Sequence, residues 1–285
     1  MNPLLEVSDL VKTYPSKRNL LGRVRERTTV TDHVSFTVER GETLGIVGES
    51  GAGKSTVGRL ALRLIEPDSG SVKFDGQDVL GLSKPELRTF RQRAQMIFQD
   101  PFSSLDPHMT IRAAVGEPLT IHRGLKGADR DAAVIALLMR VRLRADQLDK
   151  YPREFSGGQL QRIAIARALS TEPDFIVCDE PVAALDVSIQ AQVLNLLIDL
   201  QRERGLAYVF VSHDLSLVRF LAHRVAVMLK GVIVETGPTE QVFTDPQHPY
   251  TKTLLHAIPD PRAQFLDLRT DAVAGPPISS TAREL

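Results

Sequence analysis

The sequence has one cysteine, Cys178, among 285 residues. A disulfide within the chain is excluded, and so is a zinc or iron–sulfur site built on four cysteines. This scarcity fits a reducing cytoplasm. Charge of one sign is not in excess either: 35 Lys+Arg against 35 Asp+Glu give a formal net charge of zero. That gives no support to a nucleic-acid partner, which a basic surplus would announce, although a local basic patch stays open. No apolar run approaches the ~20 residues that cross a bilayer. The start, Met1-Asn2-Pro3-Leu4-Leu5, has no basic region followed by an apolar core, so no signal peptide is expected. Any part in transport has to borrow its membrane path from other chains. No internal repeat is found, so each motif occurs once.

What is present is ordinary for a soluble chain, 42% hydrophobic and 25% charged, long enough for one α/β domain with appendages. Leu5, Val7 and Leu10 predict a first strand ending near Tyr14-Pro15. The polar stretch 16–32, with Lys17, Arg18, Arg23, Arg25 and Arg27, reads as a solvated hairpin loop; the alternative is a contact with lipid headgroups or a partner subunit. Val34, Phe36 and Val38 alternate with polar residues as in a half-buried strand. A helix is predicted over 54–65, ended by Pro67-Asp68-Ser69-Gly70, with strands at 71–74 and 94–98. Residues 101–155 read as a helical insertion. Further helices are predicted at 159–169 and 187–201, and buried strands at 175–178 and 208–211. Lys230-Gly231 between two apolar runs is a hairpin signal. A short helix follows Gln247, and Gly275-Pro276-Pro277 marks a loose tail.

Gly48-Glu49-Ser50-Gly51-Ala52-Gly53-Lys54-Ser55, with Thr56 next, matches G-x-x-x-x-G-K-[ST] between an apolar strand and an amphipathic helix. Glycines let the loop turn its N–H groups toward one point, and the helix start adds about half a positive charge. Lys54 is placed to reach the β- and γ-phosphates of a nucleotide, and the Ser55 hydroxyl to ligate Mg²⁺. The motif says nucleotide binding without saying which class. Downstream, 175–178 runs into Asp179-Glu180-Pro181. A buried strand ending in two carboxylates needs a reason, since unpaired buried charge is costly; solvation at a strand-to-loop transition is one, and a bound Mg²⁺ is another. Asp179 is expected to hold Mg²⁺ through water, and Glu180 to orient and deprotonate an attacking water.

Ser156-Gly157-Gly158-Gln159, preceded by Phe155, narrows the choice. With it, the sequence resembles the ATP-binding cassette family over nearly its whole length. The resemblance implies an α/β fold: a P-loop NTPase core of ABC type, an antiparallel β subdomain and a helical subdomain at about 101–168. The cassette domain is expected over 1–260 and a C-terminal tail over 261–285. It implies that Ser156, Gly157, Gly158 and Gln159 close over the ATP of a second cassette, identical or homologous, and that Asp186, in Ala184-Leu185-Asp186, reaches across the same dimer. Tyr14 resembles the aromatic that stacks on adenine. Gln99 resembles the loop glutamine that senses Mg²⁺ and the attacking water, and His213 the histidine at the γ-phosphate. Ligands and cofactors are then ATP and Mg²⁺. Catalytic roles fall to Glu180, His213, Gln99 and Lys54, and metal contacts to Ser55, Gln99 and Asp179.

Three stretches resemble the oligopeptide/dipeptide/nickel importer branch: 99–107, 186–192 and Gln247-His248-Pro249-Tyr250-Thr251-Lys252-Thr253-Leu254-Leu255. Ala183 and Leu160 depart from the usual serine and arginine, and neither removes a catalytic group. Some members carry a C-terminal iron–sulfur cluster; with no cysteine in the tail, none is expected. The branch implies two transmembrane permease subunits, an extracytoplasmic solute-binding protein acting indirectly, no nucleic acid, and a peripheral seat on the cytoplasmic face of a bacterial inner membrane. The alternatives are a soluble ABC ATPase outside transport and an exporter ATPase.

Overall fold

The computed structural model describes residues 2–18 and 24–256. Its strands, in chain order, are β1 Leu5–Arg18, β2 Val24–Val38, β3 Thr43–Val47, β4 Ser69–Phe74, β5 Gln77–Asp78, β6 Ala94–Ile97, β7 Phe175–Asp179, β8 Ala207–Ser212, β9 Arg224–Leu229 and β10 Val232–Pro238. The helices are α1 Lys54–Ala61, α2 Lys84–Arg93, α3 Pro101–Ser104, α4 Ile111–Arg123, α5 Gly127–Arg140, α6 Gly157–Leu169, α7 Val187–Arg204, α8 Leu215–Leu221, α9 Thr239–Thr244 and α10 Pro249–His256. The tail expected over 261–285 lies outside the described residues, as does Arg23.

The central sheet runs β10-β9-β3-β8-β7-β6, parallel from β9 to β6 with β10 antiparallel at one edge. Its inner strands β3, β7 and β8 are buried along their whole length, without alternation, because both faces are covered. On β7, Phe175 and Val177 enter one core while Ile176 and Cys178 enter the other; on β8, Val209 and Val211 oppose Tyr208 and Phe210. Burial holds the Cys178 thiol well above its usual range.

The first core lies between this sheet and an antiparallel one, β2-β1-β4-β5, which contributes Leu5, Val7, Val34, Phe36, Val38, Val72 and Phe74. The second core holds α4 to α8, with Ile111, Val115, Val134, Leu138 and Ile163 among its residues. Phe155 and Leu160 belong to it as well, so Leu160 serves as a core anchor. Between β6 and β7 the chain is helical, as the insertion at 101–155 predicts. The 230–231 hairpin is present, with φ of 47° at Lys230 and 89° at Gly231, the positive pair a tight two-residue turn requires.

Two expectations are corrected. The stretch 16–32 is not a loop throughout: β1 continues to Arg18 and β2 begins at Val24, pairing Tyr14 with Thr28 and Lys17 with Glu26. Two paired strands satisfy each other's backbone without burying side chains, so hydrophobic alternation does not report them. The helix predicted over 54–65 stops at Ala61. Arg63 turns to φ 47°, and its guanidinium donates to the carbonyls of Val79 and Leu82 at 3.0 and 2.9 Å.

Candidate active site

The site forms where β3, β8, β7 and β6 end. β3 runs into the loop 48–53, which closes on α1. Gly48 has φ 155° and Gly53 φ 99°. A Cβ would overlap the carbonyl oxygen of Met228 at Gly48 and that of Val30 at Gly53, so both positions need the backbone freedom and the space of glycine. Glu49, Ser50 and Gly51 are exposed on the loop, and Ala52 is tied by its carbonyl to the Gly231 N–H at 3.0 Å. Lys54, Ser55 and Thr56 form the first turn of α1, where amides lack partners within the helix and the dipole is positive.

Lys54 is 4% exposed. Its ammonium donates to the carbonyls of Gly48 at 2.8 Å and Glu49 at 2.9 Å. Burial draws its pKa below the usual lysine value, against the opposing charges of Glu180 and Asp179. The Ser55 hydroxyl donates to Asp179 Oδ1 at 2.6 Å. Asp179 is 2% exposed, and burial pushes its carboxyl above the usual range; the Ser55 bond and the Arg59 charge offset part of this. The guanidinium of Arg59 stands 3.9 Å from Oδ2, beyond hydrogen-bond range. A buried carboxylate with one hydroxyl donor and a guanidinium only at 3.9 Å is a group that a hard divalent ion satisfies.

Glu180 sits at φ 45°, in the left-handed region that costs a side-chain-bearing residue about 1–2 kcal/mol. Its N–H donates to the Val211 carbonyl at 3.0 Å, which holds the turn. Gln99 Nε2 donates to Glu180 Oε2 at 2.9 Å, and His213 Nδ1 lies 3.2 Å from Oε1. Gln99 follows β6 and His213 follows β8, the two neighbours of β7. The three side chains meet because their strands are adjacent, and a carboxylate held from both sides can orient a water and take its proton.

The remaining sequence-predicted residues stand apart from this cluster. Ser156 caps α6: its hydroxyl accepts from the Gln159 N–H at 3.4 Å, and Gln159 Oε1 accepts from the Ser156 N–H at 3.0 Å. Gly157 lies against Leu185, and a Cβ on Gly158 would overlap Ile189. Asp186 caps α7 by position, and Gln190 shapes the loop before it by donating to the carbonyls of Val182 and Leu185. Among the described residues no hydrogen bond or ion pair joins 156–159 or Asp186 to 48–56. Tyr14 is 40% exposed on β1, with the Lys12 ammonium 5.7 Å from its ring centre. Beside it, Thr13 donates its N–H and hydroxyl to Asp68 Oδ2, each at 2.7 Å.

Two site residues escape the sequence reading. Arg59 follows Ser55 by four positions, so helical spacing alone could have placed it toward Asp179. The Tyr250 hydroxyl accepts from the Glu49 N–H at 3.2 Å across 201 positions, a contact with no local signal.

The family model for the ABC transporter matches residues 31–183, and that for the oligopeptide/dipeptide transporter C-terminal region matches 234–282. The glutathione import ATP-binding protein GsiA of Escherichia coli is 52% identical over 257 residues, 90% of this chain and 41% of that protein. GsiA of Pectobacterium atrosepticum is 49% identical over the same shares. The chain thus spans well under half the length of these curated relatives. The ATP-binding cassette MJ0796, dimeric in a post-hydrolysis state bound to ADP and Pi, superposes with a TM-score of 0.73 at 30% identity, over 82% of this chain and 98% of that one. CbiO1 of Clostridium perfringens, part of the transporter complex cbiONQ, gives 0.73 at 25% identity, over 94% and 99%. A phosphate-type loop, a capped glycine pair and an acidic strand end, in this chain order, all lie within 31–183 and agree with the first of these models: the chain belongs to the ABC transporter family, and its residues 234–282 are similar to the C-terminal region of oligopeptide/dipeptide transporters.

Proposed function

We propose that this chain is the ATP-hydrolysing cassette of an importer for oligopeptides, dipeptides or related small solutes. The hold of Gln99 and His213 on Glu180, beside Lys54 and the Ser55–Asp179 pair, carries the reading. The amides of 48–56 and the Lys54 ammonium bind the β- and γ-phosphates, and Tyr14 stacks on the adenine. Ser55, Asp179 and Gln99 would hold Mg²⁺, which when bound neutralises charge on the phosphate oxygens. Glu180 takes the proton of the attacking water. His213 and Gln99 keep its carboxylate turned to that water, and His213 also contacts the γ-phosphate.

Ser156, Gly157, Gly158 and Gln159 form a second anion seat without a partner in their own loop 48–56, and Asp186 reaches across the same dimer. This supports closure over the ATP of another cassette, a copy or a sister chain, and the dimeric state of MJ0796 supports it further. In this arrangement 1–260 is the cassette, 101–168 its helical subdomain and 261–285 a tail. The C-terminal match and the glutathione importers support uptake as the direction and peptide-like solutes as the cargo. Among the described residues no helix is long and apolar enough to cross a membrane. Two permease subunits supply the path in this reading, a solute-binding protein delivers cargo, and the cassette sits peripherally on the cytoplasmic face of an inner membrane.

The test is a pull-down of the tagged chain from gently solubilised native membranes, read by mass spectrometry. Two polytopic membrane proteins, with or without a second cassette, are expected. Recovery only from the soluble fraction, with ribosomal or DNA-repair proteins, would remove the transport reading and leave the ATPase reading standing.

A further inference from the structure

The segment Gln247-His248-Pro249-Tyr250-Thr251 takes no part in the chemistry above, yet it is tied down at several points. Glu235, on β10, accepts from the Gln247 N–H at 2.7 Å and from the His248 N–H at 3.0 Å. Burial works to raise the Glu235 carboxyl, and hydrogen bonds, the Gln247 amide's foremost among them, hold it below its usual range. His248 Nδ1 in turn accepts from the Tyr250 N–H at 3.1 Å, capping the first turn of α10, where Pro249 has no N–H to satisfy. Thr251 is buried, and Tyr250, Leu254 and Leu255 pack on the second core. The result is a short helix fixed to the edge strand of the sheet, with one polar atom directed at the phosphate loop.

That atom is the Tyr250 hydroxyl oxygen. It accepts the N–H of Glu49 at 3.2 Å. The same peptide unit has its carbonyl on Gly48, and that carbonyl accepts from Lys54 at 2.8 Å. One peptide plane is therefore held at both ends, by Tyr250 on the N–H side and by Lys54 on the C=O side. The plane follows a glycine, whose missing Cβ leaves little steric resistance to rotation. Without a partner on the N–H side, the orientation of the carbonyl, and with it the resting place of the Lys54 ammonium, is less defined.

We propose that Tyr250 is a positioning residue of the phosphate loop: it fixes the Gly48–Glu49 peptide and so links the seating of α10 to nucleotide binding. The proposal rests on the ATP-binding reading. Linkage is reciprocal: α10 in place favours nucleotide, and nucleotide in place favours α10. A partner that pulls on α10 thereby acts on the loop from outside the site.

The test uses the full chain, with ATP itself as the probe. Tyr250→Phe keeps the ring and removes the acceptor. Its Kd for ATP is expected to rise about 2- to 10-fold, the range one neutral hydrogen bond commands, with the unfolding midpoint in the absence of ATP unchanged. Glu235→Gln weakens the anchor from further away and is expected to move Kd in the same direction. Hydrogen exchange supplies the second readout: ATP is expected to slow exchange at amides 251–255 in the wild type, and Tyr250→Phe to abolish that protection. Unchanged Kd in both variants overturns the inference, and so does a raised Kd with ATP-dependent protection intact. A wild-type chain that fails to bind ATP overturns the ATPase reading, and the inference falls with it.

Discussion

α1 and α6 begin alike, with glycines where the first amides of a helix lie bare (Gly53 ahead of α1, Gly157 and Gly158 opening α6), but their surroundings differ. At the start of α1 stand a buried ammonium, a buried carboxylate sharing a hydroxyl, and a second carboxylate held by an amide and an imidazole. At the start of α6, Ser156 and Gln159 bond to each other, and Leu185 and Ile189 lie against the glycines. A helix start seats an anion whatever flanks it, whereas chemistry on that anion needs charge that can move protons and offset developing negative charge. The contrast fits the shared site proposed above, in which one loop contributes the reaction and the other only a seat to a neighbour.

The largest predicted effect tests the chemical half. Glu180→Gln is expected to lower steady-state phosphate release by about 10²–10⁴ while ATP binding persists; a near-wild-type rate would remove Glu180 from its role. Ser156→Arg tests the seating half. In the Glu180→Gln background it is expected to abolish the ATP-dependent dimer in light scattering, with single-chain ATP binding retained. If the single chain lost ATP, the two loops would not divide the work as described.

Gly158→Ala forces a methyl into Ile189 and is expected to cost about 1–3 kcal/mol in urea unfolding, as overpacking does; adding Ile189→Ala should return part of it. The smallest effect concerns the edge of the site near Tyr14. The bonds from Thr13 hold the Asp68 carboxyl at about 2, below its usual value. A depressed acid stabilises the fold above its unfolded pKa, and that contribution is lost as pH falls through the folded value. The stability gap between wild type and Asp68→Asn should be small, constant from pH 7 to about 5, and shrinking toward pH 2.

The loop 48–55 was legible because its function is contiguous: strand, glycines, lysine and helix lie within a dozen positions. The acidic end of β7 was legible because an apolar run met two carboxylates. The roles of Gln99 and His213 rest in the sequence on resemblance to family motifs alone, and their meeting on Glu180 has no local signal, since no spacing rule joins residues at the ends of three strands. Polar pairing hid the outer part of β1 and β2. α2 escaped too: Phe90 is its one buried residue, so it shows no apolar stripe, although Pro85 and the bond from the Ser83 N–H to Glu86 mark its start. Tyr250 was read as part of a helix start, and nothing nearby in the chain points to Glu49.

The lone thiol of Cys178 has a practical side. It lies at the heart of the sheet, fully covered, with burial suppressing the thiolate that reagents attack. The chain is thus a natural background for selective labelling. A spin or fluorescent label on Met139→Cys, exposed on α5, should be the one site that reacts, and the distance between labels on two copies would time the opening and closing of the proposed dimer during turnover.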